Sequence, residues 1–122
     1  MWTYQSYLEI VKEGMEADTI FFLRHDVDIS IKKAVEMAEV EQAAGLHSTY
    51  YILLTSPFYN AFSTDNIQRI KTIRELGMGI GLHYDPSVHD LSNDRMVSDI
   101  VQQTRLLETY IGELEGVSVT FH

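Results

Sequence analysis

A chain of 122 residues, 45% of them hydrophobic, can bury one core and is too short for two ordinary domains, so a single domain over residues 1–122 is expected. Its 18 acidic against 9 basic residues give a formal charge of −9, which repels phosphate backbones and anionic lipid heads and argues against nucleic acid as a partner. Without cysteine there are neither disulfides nor thiolate ligands, and any metal must sit on His, Asp or Glu.

The first residues, MWTYQSYLEIVKEG, carry Tyr, Gln and Glu where a signal peptide needs a basic start and an apolar run. No later segment approaches the ~20 apolar residues of a membrane span. The expectation is a soluble chain, cytoplasmic as it stands, with no membrane partner. A short helix around 4–13 should precede a first strand at 19–25 (TIFFLRH). A helix over 30–44 follows, with Ile31, Ala34, Val35 and Ala38 on one stripe and Gly45 as its stop. The second strand is expected at 47–54 (HSTYYILL). Next comes a helix over 64–76, capped by Ser63 or Thr64, repeating Ile67, Ile70 and Ile73 and closed by Gly77. A third strand at 78–83 (MGIGLH), a helix over 93–115 ending at Gly116, and a fourth strand at 117–122 (VSVTFH) complete the order. Helical crossovers between all strands make the sheet parallel, so the fold class is α/β.

In such sheets chemistry gathers beyond the carboxyl ends of the strands. Asp26, Asp28, His83 and His122 all fall there, with His89 in the loop after the third strand. In HDVD, Asp26 and Asp28 lie two apart and face one side if the chain stays extended, so a cation between them would relieve their repulsion. The plainer reading of one of them is a cap for the helix beginning near Ser30. His83 with His89 and one Asp would make a three-ligand zinc-type site with a position open to water, whereas a lone strand-end histidine is more often structural. Gly79 and Gly81 let the third strand approach a neighbour closely. Tyr50 and Tyr51 read as core. Phe58, Tyr59 and Tyr84 read as loop residues above the site, suited to the apolar faces of sugars or to loop packing. His47 opens its strand and belongs at the opposite rim.

Taken in order, these residues resemble the polysaccharide deacetylase family, the NodB-homology domain of carbohydrate esterases. The family's strand ending in Thr-Phe-Asp-Asp-Gly is similar to LRHDVD, residues 23–28. Its Gly-x-x-Ala-Thr-Phe-Phe-Val strand is similar to GLHSTYYI, residues 45–52. Its Ile-Gly-x-His motif with a second histidine is similar to IGLHYDPSVH, residues 80–89. The resemblance implies parallel βα units forming the N-terminal half of a distorted (β/α)7 barrel, with carbohydrate as substrate and hydrolysis of its N-acyl groups. It implies Asp26 as catalytic base, and a divalent metal of the zinc type on Asp28, His83 and His89. Two departures accompany it: Val27 stands where the family's second acid does, and Ser87 where its second histidine does. The family's later motifs, with its general acid, have no counterpart here. A half barrel leaves sheet edges through which copies of the chain could associate.

Two other readings fit the same residues. In a haloacid-dehalogenase-like phosphohydrolase, Asp26 would be the nucleophile, Asp28 its partner and magnesium the ion, with LLTS (53–56) as a further motif. In a non-catalytic half-barrel, the fold would serve binding or assembly.

Overall fold

The computed structural model describes residues 3–16, 22–88 and 92–122. Helix α1 spans Tyr4–Glu16, and four strands follow, β1 (Leu23–Val27), β2 (Ser48–Leu53), β3 (Gly79–Tyr84) and β4 (Val119–Phe121). Helices α2 (Ile31–Ala43), α3 (Thr64–Glu75) and α4 (Asn93–Ile111) cross between them. The sheet order is β1-β2-β3-β4 and every pairing is parallel. The fold is an α/β half-barrel: the parallel α/β class is what the alternation of elements predicts, and the half-barrel is what the resemblance implies.

Strand β1 ends two residues later than the polarity of its sequence suggests. Residues 17–21, which hold the start of the expected strand, lie outside the described residues. Asp26 pairs with Tyr51 and Val27 with Ile52, so the ladder to β2 carries the chain through HDV before it turns. Backbone pairing with an interior strand outweighs the unfavourable side-chain pattern. At the other end of the chain, α4 stops at Ile111 rather than near residue 115. Gly112 takes a positive φ of 94° and donates to the Glu108 carbonyl. The Arg74 guanidinium donates to the carbonyls of Ile111 and Glu113, leading the chain away from the helix axis.

The side chains alternate strictly across the sheet. Val27, Tyr50, Ile52 and Ile80 face the helices and join Ile31, Ala34, Ala38, Ile70, Ile73, Leu107 and Ile111 in one buried core. Arg24, Asp26, Thr49, Tyr51, Gly81, His83, Ser118 and Thr120 occupy the alternate positions, on the inner face. That face is polar and drawn together over a glycine. The Tyr51 hydroxyl reaches Ser118 Oγ at 2.6 Å, and a Cβ on Gly81 would stand 2.5 Å from the Tyr51 ring and 2.8 Å from the Ser118 carbonyl oxygen. Tyr51 thus spans the inner face, whereas Tyr50 is core. Tyr84, expected in a loop, is the last residue of β3. It is buried, with its hydroxyl donating to Asp99 of α4, and burial followed by the Asp99 carboxylate pushes its pKa up.

Beneath β1, His25 contacts Glu41 Oε1 at 2.5 Å and Tyr50 donates to the same oxygen at 2.7 Å. Glu41 is fully buried. Burial would raise its pKa, but interactions with His25, Ser48 and Tyr50 outweigh that and hold it below the ordinary carboxylate value. The Tyr7 hydroxyl of α1 is pushed up to about 12 by burial and by the charge of Glu41. Among the described residues no helix is long and apolar enough to cross a membrane.

A candidate metal centre at the carboxyl rim

Asp28 follows β1, His83 is in β3 and His122 follows β4. Asp28 Oδ1 lies 3.2 Å from His83 Nε2 and 3.3 Å from His122 Nδ1, and the two nitrogens are 3.2 Å apart. Ligands 2.0–2.1 Å from a tetrahedral zinc stand about 3.3–3.4 Å from one another, so this triangle has the size of three corners of such a site. Asp28 Oδ1 supplies a second sign. It is buried yet accepts no hydrogen bond within the described structure, although two imidazole nitrogens touch it. A buried carboxylate oxygen in contact with two ring nitrogens that donate nothing to it is an oxygen arranged for a cation rather than for N–H groups. Two nitrogen donors and one oxygen suit a zinc-type ion better than magnesium, which favours oxygen ligands.

The surroundings fix each corner. Ser30 caps α2 by accepting from the Lys33 amide, so neither aspartate of HDVD is used as the cap. Ser56 donates to the Asp28 carbonyl at 2.7 Å, and the Tyr59 hydroxyl donates to the Val27 carbonyl while accepting from the Leu53 amide. The loop after β2 therefore clamps the end of β1. Tyr59 is a strut beneath Asp28, its pKa raised first by burial and further by the Asp28 charge. Phe58 in the same loop is exposed. His83 is 2% exposed, whereas the His122 side chain is 46% exposed, so the triangle is closed below and open above. Asp85 stands within electrostatic reach. The Ser87 hydroxyl and amide hold its carboxyl below the usual range, and His122 and His83 add to that effect.

Asp26 lies beside the triangle rather than in it. Its Oδ1 accepts from Thr120 at 3.1 Å, its Oδ2 is 3.3 Å from the Arg24 guanidinium, and His83 Nδ1 is 4.0 Å away. His89, the third ligand that the resemblance implies, lies outside the described residues. The geometry puts His122 in the third position. His47 is at the far rim, against the Gly77 carbonyl, as expected.

Two cavities of about 500 and 470 Å³ lie around Thr49, Gly77 and Gly79, at the amino ends of the strands and away from these groups. A third, of about 340 Å³, runs beside the edge of β1, lined by Asp26, Asp28, Ile29, Ala34 and Met37 among others. Comparison with family models, curated proteins and solved structures finds no match.

Proposed function

We propose that this domain belongs to a metal-dependent hydrolase that cleaves N-acyl groups from a carbohydrate, as its resemblance to polysaccharide deacetylases implies. The observation that supports the reading best is the Asp28–His83–His122 triangle with its buried, unbonded carboxylate oxygen. A zinc-type cation held by Asp28, His83 and His122 would lower the pKa of a water toward ~7 and would act as a Lewis acid for the acyl oxygen. The chain's own residues do the rest. Asp26, its side chain 27% exposed and each oxygen keeping a free lone pair, would accept the proton of the attacking water and would have to return it to the leaving amine, because the family's general acid has no counterpart here. Arg24 pairs with the carboxylate that takes this proton.

Calorimetric titration with zinc tests the centre. Wild type should bind stoichiometrically, and His83→Ala and His122→Ala should lose at least tenfold in affinity. Equal binding by wild type and His83→Ala would end the assignment. Acetate release from N-acetylglucosamine oligomers, slow in the zinc-loaded protein because the family's general acid has no counterpart here, and lost in Asp26→Asn with zinc affinity kept, tests the chemistry. Tight zinc binding without acetate release would leave a binding module. A phosphohydrolase on Asp26 and Asp28 would instead turn over phosphate esters with magnesium, and would leave both imidazoles without a task.

A further inference from the structure

We infer that Thr120 is a positioning residue of this centre: its hydroxyl, anchored on Asp26, holds His83 as the Nδ1–H tautomer and leaves Nε2 as a lone pair facing Asp28 and His122. The inference rests on the metal-binding reading and adds to it a residue that neither the sequence motifs nor the ligand triangle contains.

The argument is a count of protons. Thr120 and His83 are direct partners across the β3–β4 ladder and share the inner face. Both are buried, at 5% and 2% exposure, so water does not complete their hydrogen bonds. His83 Nδ1 is 2.7 Å from Thr120 Oγ1, and Oγ1 is 3.1 Å from Asp26 Oδ1. A hydroxyl has one proton to donate, and a carboxylate has none. The threonine proton therefore goes to Asp26, and the hydrogen bond on the other side of Oγ1 must come from an Nδ1–H. At 4.0 Å, Asp26 is too far from Nδ1 to accept that proton itself. A neutral imidazole protonated at Nδ1 carries its free lone pair on Nε2, the atom 3.2 Å from both Asp28 Oδ1 and His122 Nδ1. Metal-binding histidines have their other ring nitrogen held by a carboxylate or carbonyl, and losing that partner lowers metal affinity by about 10–100-fold. Here one hydroxyl is interposed.

Valine matches threonine in shape and in preference for strands, so Thr120→Val removes the hydroxyl with little change in packing. Thr120→Ser restores it. Two readouts separate this inference from the metal reading. The first is long-range ¹H–¹⁵N correlation of the imidazoles in metal-free protein at about pH 8, where an ordinary histidine is neutral. His83 should be protonated at Nδ1 in wild type and in Thr120→Ser, and should shift toward Nε2–H in Thr120→Val. The second is zinc affinity from chelator competition, which should fall about 10–100-fold in Thr120→Val and stay within about threefold of wild type in Thr120→Ser. An Nε2–H tautomer in wild type would overturn the inference. So would a Thr120→Val protein matching wild type in both readouts. If wild type takes up no zinc, the metal reading falls, and the tautomer experiment still decides the relay.

Discussion

Asp28 and His83 meet because a parallel sheet delivers the residues at its strand ends to a common rim, and both stand at such ends. His122 was visible at that rim, yet the resemblance favoured His89 as a ligand. Thr120 carried a fainter signal: Ser118, Thr120 and His122 alternate, so they share a face once the strand is placed. Glu41 carried one as well, for it continues the buried series Ile31, Ala34, Ala38 of α2 at helical spacing. An acid on an apolar stripe has to find partners inside, and here these are His25 and Tyr50. Because the folded pKa of Glu41 lies below its ordinary value of 4.5, its contribution to stability is present above that value and is lost as pH falls through the lower folded value. Denaturant unfolding of wild type and Glu41→Gln should thus differ at pH 7, by about 1–3 kcal/mol for a buried, bonded group. The difference should shrink below about pH 4. A gap that stays constant across that range would exclude the linkage.

Helices announced themselves by period and cap, and strands by composition, but boundaries followed tertiary pairing. The end of α2's stripe and the cap Ser63 match the sequence reading, whereas Ser30 takes the cap that the sequence reading offered to an aspartate of HDVD. In the helix expected over 93–115 the sequence sets Val97, Ile100, Val101, Leu107, Ile111 and Leu114 on one helical face, yet Val97 is 63% exposed while Leu107 and Ile111 are buried. The junction of β1 with α2 matters most for the site, because a serine caps the helix and leaves Asp28 for other use. Two substitutions separate these roles. Ser30→Ala should cost about 1 kcal/mol, the usual effect of losing an N-cap. Asp28→Ala, measured without metal at about pH 8, above the range in which an ordinary histidine titrates, should cost nothing or stabilise, because it removes a buried oxygen that no donor satisfies. Thermal unfolding of both variants checks the contrast. A loss in Asp28→Ala as large as that in Ser30→Ala would mean that the aspartate is structural.

The resemblance implies a curved half-barrel, but how tightly the sheet closes is set by contacts between residues far apart in the chain. Edge strands β1 and β4 are separated by β2 and β3, and in a flat sheet they would stand roughly 14 Å apart. Yet Thr120 bonds Asp26, and Asp28 meets His122. The sheet must curl sharply at its carboxyl rim, and the small inner residues Gly79 and Gly81 give the room for it. Among the described residues β1 and β4 each pair on one side only. Phe22 is 94% exposed beside β1, and Phe121 is 57% exposed in β4. Open edges flanked by exposed aromatics favour association. Sedimentation should therefore show a concentration-dependent species heavier than the 14.0 kDa monomer, reduced by Phe22→Lys with Phe121→Lys. Monomer alone at all concentrations would refute that expectation. The contact between Asp26 and Thr120, 94 positions apart along the chain, also dictates a timetable. Closing so distant a contact is slow and late in folding, so no intermediate lacking β4 can assemble the three-cornered rim. Uptake of a cation would then report that the last strand has docked, and a chelator added during refolding would leave every earlier stage untouched.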